Sequence, residues 1–186
     1  MFAAGPPQQP FLVIDPGMHT GVIRKIDASA DGTLIATASE DKTVRLWSIL
    51  EKRLLGTFRL PRSEGEGGRA YAVALSPDGR MLAAGGLDAD GELNNQGGYV
   101  YLFDTITGRM TQRLGPLPAV VYDLDFSSDG QSLAAGLEGT GGVAQWQSPF
   151  SGPMLRATAY QADVLDLEYD PDGALHVATA DGQFLI

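Results

Sequence analysis

The chain has 186 residues, is 44% hydrophobic and carries 13 Lys and Arg against 23 Asp and Glu, which gives a formal net charge of −10. So acidic a chain lacks the basic face that phosphate backbones require, and nucleic acid and anionic membranes are therefore poor partners. It has no cysteine, which excludes disulfides, thiolate metal sites and cysteine nucleophiles from these residues.

The first 15 residues predict two short features. Residues 1–10 contain Pro6, Pro7 and Pro10, which remove amide donors, and we expect a disordered lead-in. Residues 11–15, FLVID, are predicted to form one isolated strand. The start lacks the basic residues and apolar run of a secretory signal, and no apolar stretch approaches the roughly 18 residues of a membrane span. Localisation stays unknown: a cytoplasmic protein is favoured as the chain stands, and a periplasmic or secreted one if an upstream signal is missing.

Residues 19–48 predict a meander of antiparallel strands. Apolar and polar residues alternate through each segment, and an Asp-Gly step joins the first two. Such a step suits a tight hairpin, because glycine adopts positive φ freely and aspartate tolerates it through local hydrogen bonds. The predicted strands are Ile23 to Ala28, Leu34 to Ser39 and Thr43 to Trp47.

The Asp-Gly step recurs at Asp78, Asp129 and Asp172. The spacing is about 40–50 residues, which together with several short strands per copy is typical of propeller blades. The apolar positions upstream of each turn keep the same offsets in all four copies. They are Ile23, Ile26 and Ala28; Ala70, Val73 and Leu75; Val121, Leu124 and Phe126; and Val164, Leu167 and Tyr169.

At these residues the chain resembles the WD-repeat β-propeller family, from about residue 11 to the end. The first copy matches best: His19 stands where the family has Gly-His, Ser39 and Asp41 precede the third strand, and Trp47-Ser48 replaces Trp-Asp. The resemblance implies that His19, Ser39, Asp41 and Trp47 form a hydrogen-bonded set that ties the preceding loop to the blade. The later copies depart from this pattern, since the second lacks the His and the third lacks the turn Asp.

The resemblance implies an all-β fold, a WD-repeat β-propeller segment of about four blades of four-stranded antiparallel meanders within a seven- or eight-bladed ring. Residues 11–15 would be the closing strand, and the fourth blade would lack its outer strand. Three interpretations stay open: a fragment of a longer propeller, a homodimer that completes the ring, or a four-bladed monomer. The expected blades are blade 1 at about 19–60, blade 2 at about 70–114, blade 3 at about 120–160 and incomplete blade 4 at about 163–186.

The loop between Leu87 and Gly98 contains a candidate metal site. Asp88, Asp90 and Glu92 place carboxylates at alternate positions, as calcium loops do. The glycine and the bidentate glutamate of an EF-hand loop are missing at the required positions, so a solvated acidic loop is preferred and no cofactor is predicted. No nucleophile-elbow motif is present and neither histidine is placed for catalysis, so we expect no enzyme activity.

One face of the repeats is the candidate partner-binding surface. Arg24, Tyr71, Tyr122 and Leu165 each follow the first apolar position of their copy, and Glu40 precedes the turn aspartate. Tyr and Arg are enriched at binding hot spots, which favours a protein or peptide partner. The alternative is that the tyrosines only pack between neighbouring blades.

These patterns predict a non-catalytic protein–protein interaction scaffold or recognition module. A closer likeness is to bacterial WD-repeat proteins that are sometimes fused to a caspase-like peptidase domain. It is carried by GMHTGVIRKID, SEDKTVRLW, GRAYAVALSPDGR and YLFD. This likeness implies an alternative in which the chain is the regulatory propeller portion of such a peptidase, whose catalytic domain is not in this chain.

Overall fold

The chain is built almost entirely from strands in its computed structural model, which describes residues 17–61, 67–87, 98–152 and 154–185. The strands form four antiparallel sheets in chain order, three of four strands and one of three. The only helix of this described part is the three-residue 3-10 turn Gly139–Gly141, so none there is long and apolar enough to cross a membrane. The predicted lead-in, the closing strand and the loop carrying Asp88, Asp90 and Glu92 lie outside the described residues.

Each sheet is a meander in which every strand pairs with the next one along the chain. The first sheet comprises β1 (Ile23–Ala28), β2 (Leu34–Ser39), β3 (Thr43–Ser48) and β4 (Arg53–Arg59). The second comprises β5 (Ala70–Leu75), β6 (Met81–Gly86), β7 (Gly98–Asp104) and β8 (Met110–Leu117). The third comprises β9 (Val121–Phe126), β10 (Ser132–Leu137), β11 (Val143–Gln147) and β12 (Leu155–Ala157), and the fourth β13 (Val164–Tyr169), β14 (Leu175–Thr179) and β15 (Phe184–Leu185).

The predicted Asp-Gly steps form the hairpins between the first and second strands of the sheets. Their glycines have φ between 67° and 88°, a region that favours glycine. In the first sheet, Asp31 Oδ1 accepts hydrogen bonds from the Ser29 hydroxyl at 2.7 Å and the Thr33 amide at 2.9 Å. Asp78 and Asp129 make the same two kinds of contact. The serine hydroxyl and then the amide hold the pKa of these three carboxyls below its usual range.

The sheets pack side by side, so that each one covers the inner strand of the next. The first apolar position of β5, β9 and β13 is fully buried, whereas Ile23 in β1 is 52% exposed. The second apolar position of those strands is at most 4% exposed, whereas Ile26 is 60% exposed. The buried residues at these positions are Ala70, Val121, Val164, Val73, Leu124 and Leu167. Within the described residues, the first sheet therefore presents an apolar flank of the kind that the other sheets bury.

Candidate functional site

A hydrogen-bonded set joins the segment before β1 to strands β2 and β3. His19 Nδ1 lies 2.9 Å from Asp41 Oδ2, and His19 Nε2 lies 2.8 Å from Thr37 Oγ1. Trp47 Nε1 donates to the same Thr37 hydroxyl at 2.9 Å. The set therefore runs from Asp41 through His19 and Thr37 to Trp47.

The protons of this set follow from the chemistry of its carboxylate end. Asp41 also accepts hydrogen bonds from the Thr43 hydroxyl and the Thr20 amide. Burial raises the pKa of Asp41, but the hydrogen bonds from Thr43, Thr20 and His19 outweigh it, so the pKa is lowered and the carboxyl is ionised at neutral pH. His19 must then donate from Nδ1, and in the neutral ring Nε2 accepts the Thr37 proton.

Thr37 takes the place in this set that the sequence analysis gave to Ser39. The Ser39 hydroxyl instead accepts a hydrogen bond from the Asp41 amide at 3.2 Å. Thr37 pairs with Arg45 across the β2–β3 ladder, which brings its hydroxyl within reach of both the His19 and the Trp47 rings. Thr37 and Ser39 alternate onto the same face of β2, so the repeat spacing alone does not tell them apart.

Arg24 begins the predicted partner-binding surface. Its Nε donates to Glu40 Oε1 at 2.6 Å, and Arg69 Nη1 lies 3.4 Å from the other oxygen of the same carboxylate. The Arg24 guanidinium lies 5.7 Å from the centre of the Tyr71 ring, which is within cation–π range. Glu40 is thus paired with two arginines, and its main contribution is to hold Arg24 in place.

Tyr71 and Tyr122 form an aromatic pair between the second and third sheets. Their ring centres are 6.3 Å apart and the rings are tilted by 53°, a favourable aromatic arrangement. The Tyr122 hydroxyl donates to Glu138 Oε1 at 3.0 Å. Burial, followed by this hydrogen bond, raises the pKa of Tyr122 to about 12. Both tyrosines are half-buried, so they pack between sheets and still line the surface.

Two pockets open on this face and share the tyrosine pair. The Leu165 pocket has a volume of about 500 Å³ and is lined by Arg24, Tyr71, Tyr122, Asp163 and Leu165. It brings together four of the five predicted contact residues. The Arg156 pocket has a volume of about 760 Å³ and adds Glu138, Arg156 and the turn Gly139–Gly141 to the two tyrosines. Pockets of this size fit small ligands or parts of a peptide.

An ion cluster that the sequence analysis missed lies among the inner strands. Lys25 Nζ is 2.9 Å from Asp123 Oδ1 and also contacts Asp166, so the first sheet is joined to the third and fourth. Burial raises the pKa of Asp123 to about 6, and the charge of Lys25 offsets this only in part. A signal was present, because all three residues lie two positions after the first apolar residue of their copy, where a strand covered on both faces is expected to be apolar.

Aspartates of the inner strands also accept backbone amides of the following sheet. The pairs are Asp27 with the Leu75 amide at 2.6 Å, Asp123 with the Leu167 amide at 2.8 Å and Asp125 with the Tyr169 amide at 2.7 Å. Burial raises the pKa of Asp125 to about 7, and the carboxylates of Asp27 and Asp123 add to the shift. These contacts fix the register of one sheet against the next at the cost of burying charge.

Asp125→Asn should raise stability at pH 8 and flatten its dependence on pH. The pKa of Asp125 is about 7 in the folded chain against an ordinary value of 3.8. Between these values the folded chain binds more protons than the unfolded one, so stability is lost as the pH rises through 7. Asparagine keeps an acceptor for the Tyr169 amide without the charge, and the variant should gain about 1–2 kcal/mol at pH 8, allowing for partial exposure. Urea unfolding measures this, and an equal gain at pH 5 would contradict it.

The arrangement suits binding better than catalysis. In the described ranges, no group of three or more His, Asp or Glu side chains could hold a metal ion. The pockets instead combine aromatic rings, a guanidinium and carboxylates on one surface, which are the groups that recognise peptides. The fold and this surface define a repeat protein built from β-propeller blades.

The chain carries repeats of the WD40 family: the family model described as WD domain, G-beta repeat, matches residues 16–48 and 55–93. WD repeat-containing protein SL1-17 of Schistosoma mansoni is 28% identical over 89% of this chain and 49% of its own length. Small ribosomal subunit protein RACK1y of Oryza sativa is 30% identical over 64% of this chain and 32% of its own length. Guanine nucleotide-binding protein subunit beta-1 of Nicotiana tabacum is 27% identical over 63% of this chain and 30% of its own length.

These comparisons confirm the WD-repeat resemblance and agree with the all-β blades. The chain spans about half or less of the length of the relatives named. All three relatives are eukaryotic, so the comparisons do not support the expected bacterial origin or the caspase-like fusion. The fragment interpretation likewise finds no support in them and stays a prediction.

Proposed function

We propose that this chain is a non-catalytic protein-recognition module that binds a peptide segment of its partner across the Tyr71–Tyr122 pair. The observation that carries the proposal is the Leu165 pocket. One residue from the inner strand of each of the four sheets lines this single cavity. They are Arg24, Tyr71, Tyr122 and Leu165. A partner lying across it would contact every sheet at once.

The chemistry of the pocket suits this function. Leu165 is 52% exposed, and the Arg24 side chain is also 52% exposed although it is ion-paired. Tyrosine and arginine supply much of the binding energy at protein interfaces, because they combine a large apolar area with polar ends. Glu40 and the stacking on Tyr71 hold Arg24 in position before a partner arrives, which lowers the entropic cost of binding.

The similar proteins support the proposal in kind. One is named as a ribosomal subunit protein and another as a subunit of a guanine nucleotide-binding protein. Both names describe components of larger assemblies. By analogy, this chain would act by holding another protein, and the identity of that protein is open.

The triple variant Arg24→Ala, Tyr71→Ala and Tyr122→Ala should lose partner binding while the fold remains. A partner is first identified by affinity capture with the wild-type chain, and its affinity is then measured by calorimetry for wild type and variant. Loss of three hot-spot contacts should weaken binding by about a hundredfold or more.

The matched control carries three alanines on exposed residues outside both pockets, Arg53, Ile106 and Met110. It should bind as wild type does. If the first variant unfolds, or binds unchanged, the tyrosines serve only to pack the sheets and the proposal is wrong.

The open flank of the first sheet favours a second kind of contact. Ile23 and Ile26 are exposed there, and the fourth sheet carries Asp166 and Glu168 at the repeat positions from which Asp123 and Asp125 accept amides. A homodimer or additional blades would cover the flank with the same carboxylate-to-amide contacts. Both arrangements stay predictions.

A further inference from the structure

The charged groups around the two pockets are not equally satisfied. Glu138 accepts a hydrogen bond from the Tyr122 hydroxyl at 3.0 Å, and Asp163 Oδ1 accepts one from the Gly139 amide at 2.6 Å. Among the described residues, Arg156 makes one hydrogen bond, from Nη2 to the Gly141 carbonyl at 2.8 Å. A guanidinium has five N–H donors and a full charge, so most of its binding capacity is unused and faces the Arg156 pocket.

The backbone beside Arg156 is rigid. Gly142 has a φ of 73°, and a Cβ at this position would lie 2.0 Å from the Ala157 carbonyl oxygen. No other residue fits there without moving β12, so the turn keeps a fixed distance from the strand that carries Arg156. The Gly141 carbonyl in turn holds one edge of the guanidinium. Arg156 is therefore held in place ahead of any ligand, as strong carboxylate sites require.

The surroundings favour a single carboxylate over a polyanion. Glu138 and Tyr122 line the same pocket, and the whole chain has a net charge of −10. A phosphate backbone or a run of acidic residues would meet this negative field, whereas one carboxylate placed on Arg156 would not have to approach Glu138 closely. The apolar wall formed by Pro118, Ala119 and Val120 suits the methylene groups of such a side chain.

Resting on the function proposed above, we propose that Arg156 binds an Asp or Glu side chain of the partner peptide. The peptide crosses the tyrosine pair, with its acidic side chain in the Arg156 pocket and a neighbouring part of the chain in the Leu165 pocket. Arg156 then sets which peptides are accepted, while the tyrosines supply sequence-tolerant contact area.

An array of short capped peptides of random sequence tests this, with the wild-type chain as the probe. Captured peptides should be enriched in one Asp or Glu. Resynthesis of the best peptide with Asn or Gln at that position should weaken its binding to wild type by about tenfold to a hundredfold. Against Arg156→Gln, the same change in the peptide should have almost no effect, because the two substitutions remove one interaction. Arg156→Lys should keep part of the preference, and Arg53→Gln should match wild type.

Two other results would overturn the assignment in distinguishable ways. If the acidic side chain matters equally to wild type and Arg156→Gln, or no acidic enrichment appears, Arg156 does not bind it although peptide recognition stands. If no peptide is captured, or the captured peptides bind the Arg24, Tyr71 and Tyr122 triple variant as tightly as wild type, the proposed function itself has failed.

Discussion

Asp123→Ala should lower the free energy of unfolding by about 3 kcal/mol. The Asp123 side chain is fully buried, accepts the Leu167 amide at 2.8 Å and lies 2.9 Å from Lys25 Nζ. Alanine leaves that amide without its acceptor and opens a cavity between the third and fourth sheets, while Lys25 keeps only Asp166. In urea unfolding the midpoint should fall with little change in slope, since the surface exposed on unfolding is the same.

Asp123→Asn separates the hydrogen bond from the charge. Asparagine has the same shape and still accepts the Leu167 amide, and it removes the buried charge that raises the pKa of Asp123 to about 6. We expect it to cost less than about 1 kcal/mol, because replacing a buried charge is often nearly neutral. Asp166→Asn, at the exposed end of the cluster, should be close to wild type. Equal losses in the Asn and Ala variants would place the energy in the Lys25 ion pair and contradict this account.

The positions of the strands could be predicted because each strand has a face that packs against a neighbouring sheet. Such strands alternate, and the segments predicted for β1 and β2 coincide with their observed bounds, Ile23–Ala28 and Leu34–Ser39. The Asp-Gly corners could be predicted for a local reason, since Asp31 bonds only to residues two positions away. Local chemistry of this kind is written directly in the sequence.

Placement of the surface residues could also be predicted, but their pairing could not. Tyr71 and Tyr122 share a repeat position, and stacking in register brings them to one face. Lys25 and Asp166, in contrast, lie 141 residues apart and meet only because the four sheets bring the first and last inner strands together. Arg156 lies on the outer strand β12, which carries the weakest repeat pattern, and its pocket depends on how the glycine turn beside it folds.

Thr37→Val should destabilise the chain by about 3 kcal/mol, which corresponds to a Tm about 6–12 °C lower. Valine has nearly the same shape but no hydroxyl. The Trp47 indole N–H then loses its acceptor, and His19 Nε2 loses its partner in a site where only 3% of the His19 side chain is exposed. Each unsatisfied buried polar group costs about 1–3 kcal/mol. Calorimetry measures the change, and the fluorescence of Trp47, one of two tryptophans, reports the local site.

Thr37→Ser is the matched control, because it keeps the hydroxyl and removes only a methyl group. It should lose about 1 kcal/mol, and a loss as large as that of Val would show that the methyl group, not the hydroxyl, stabilises the site. The set also bears on binding, since Asp41 directly follows Glu40, which holds Arg24. Thr37→Val should therefore weaken peptide binding at temperatures where the chain is still folded, whereas Thr37→Ser should not. A Val variant that binds with wild-type affinity would confine the set to stability alone.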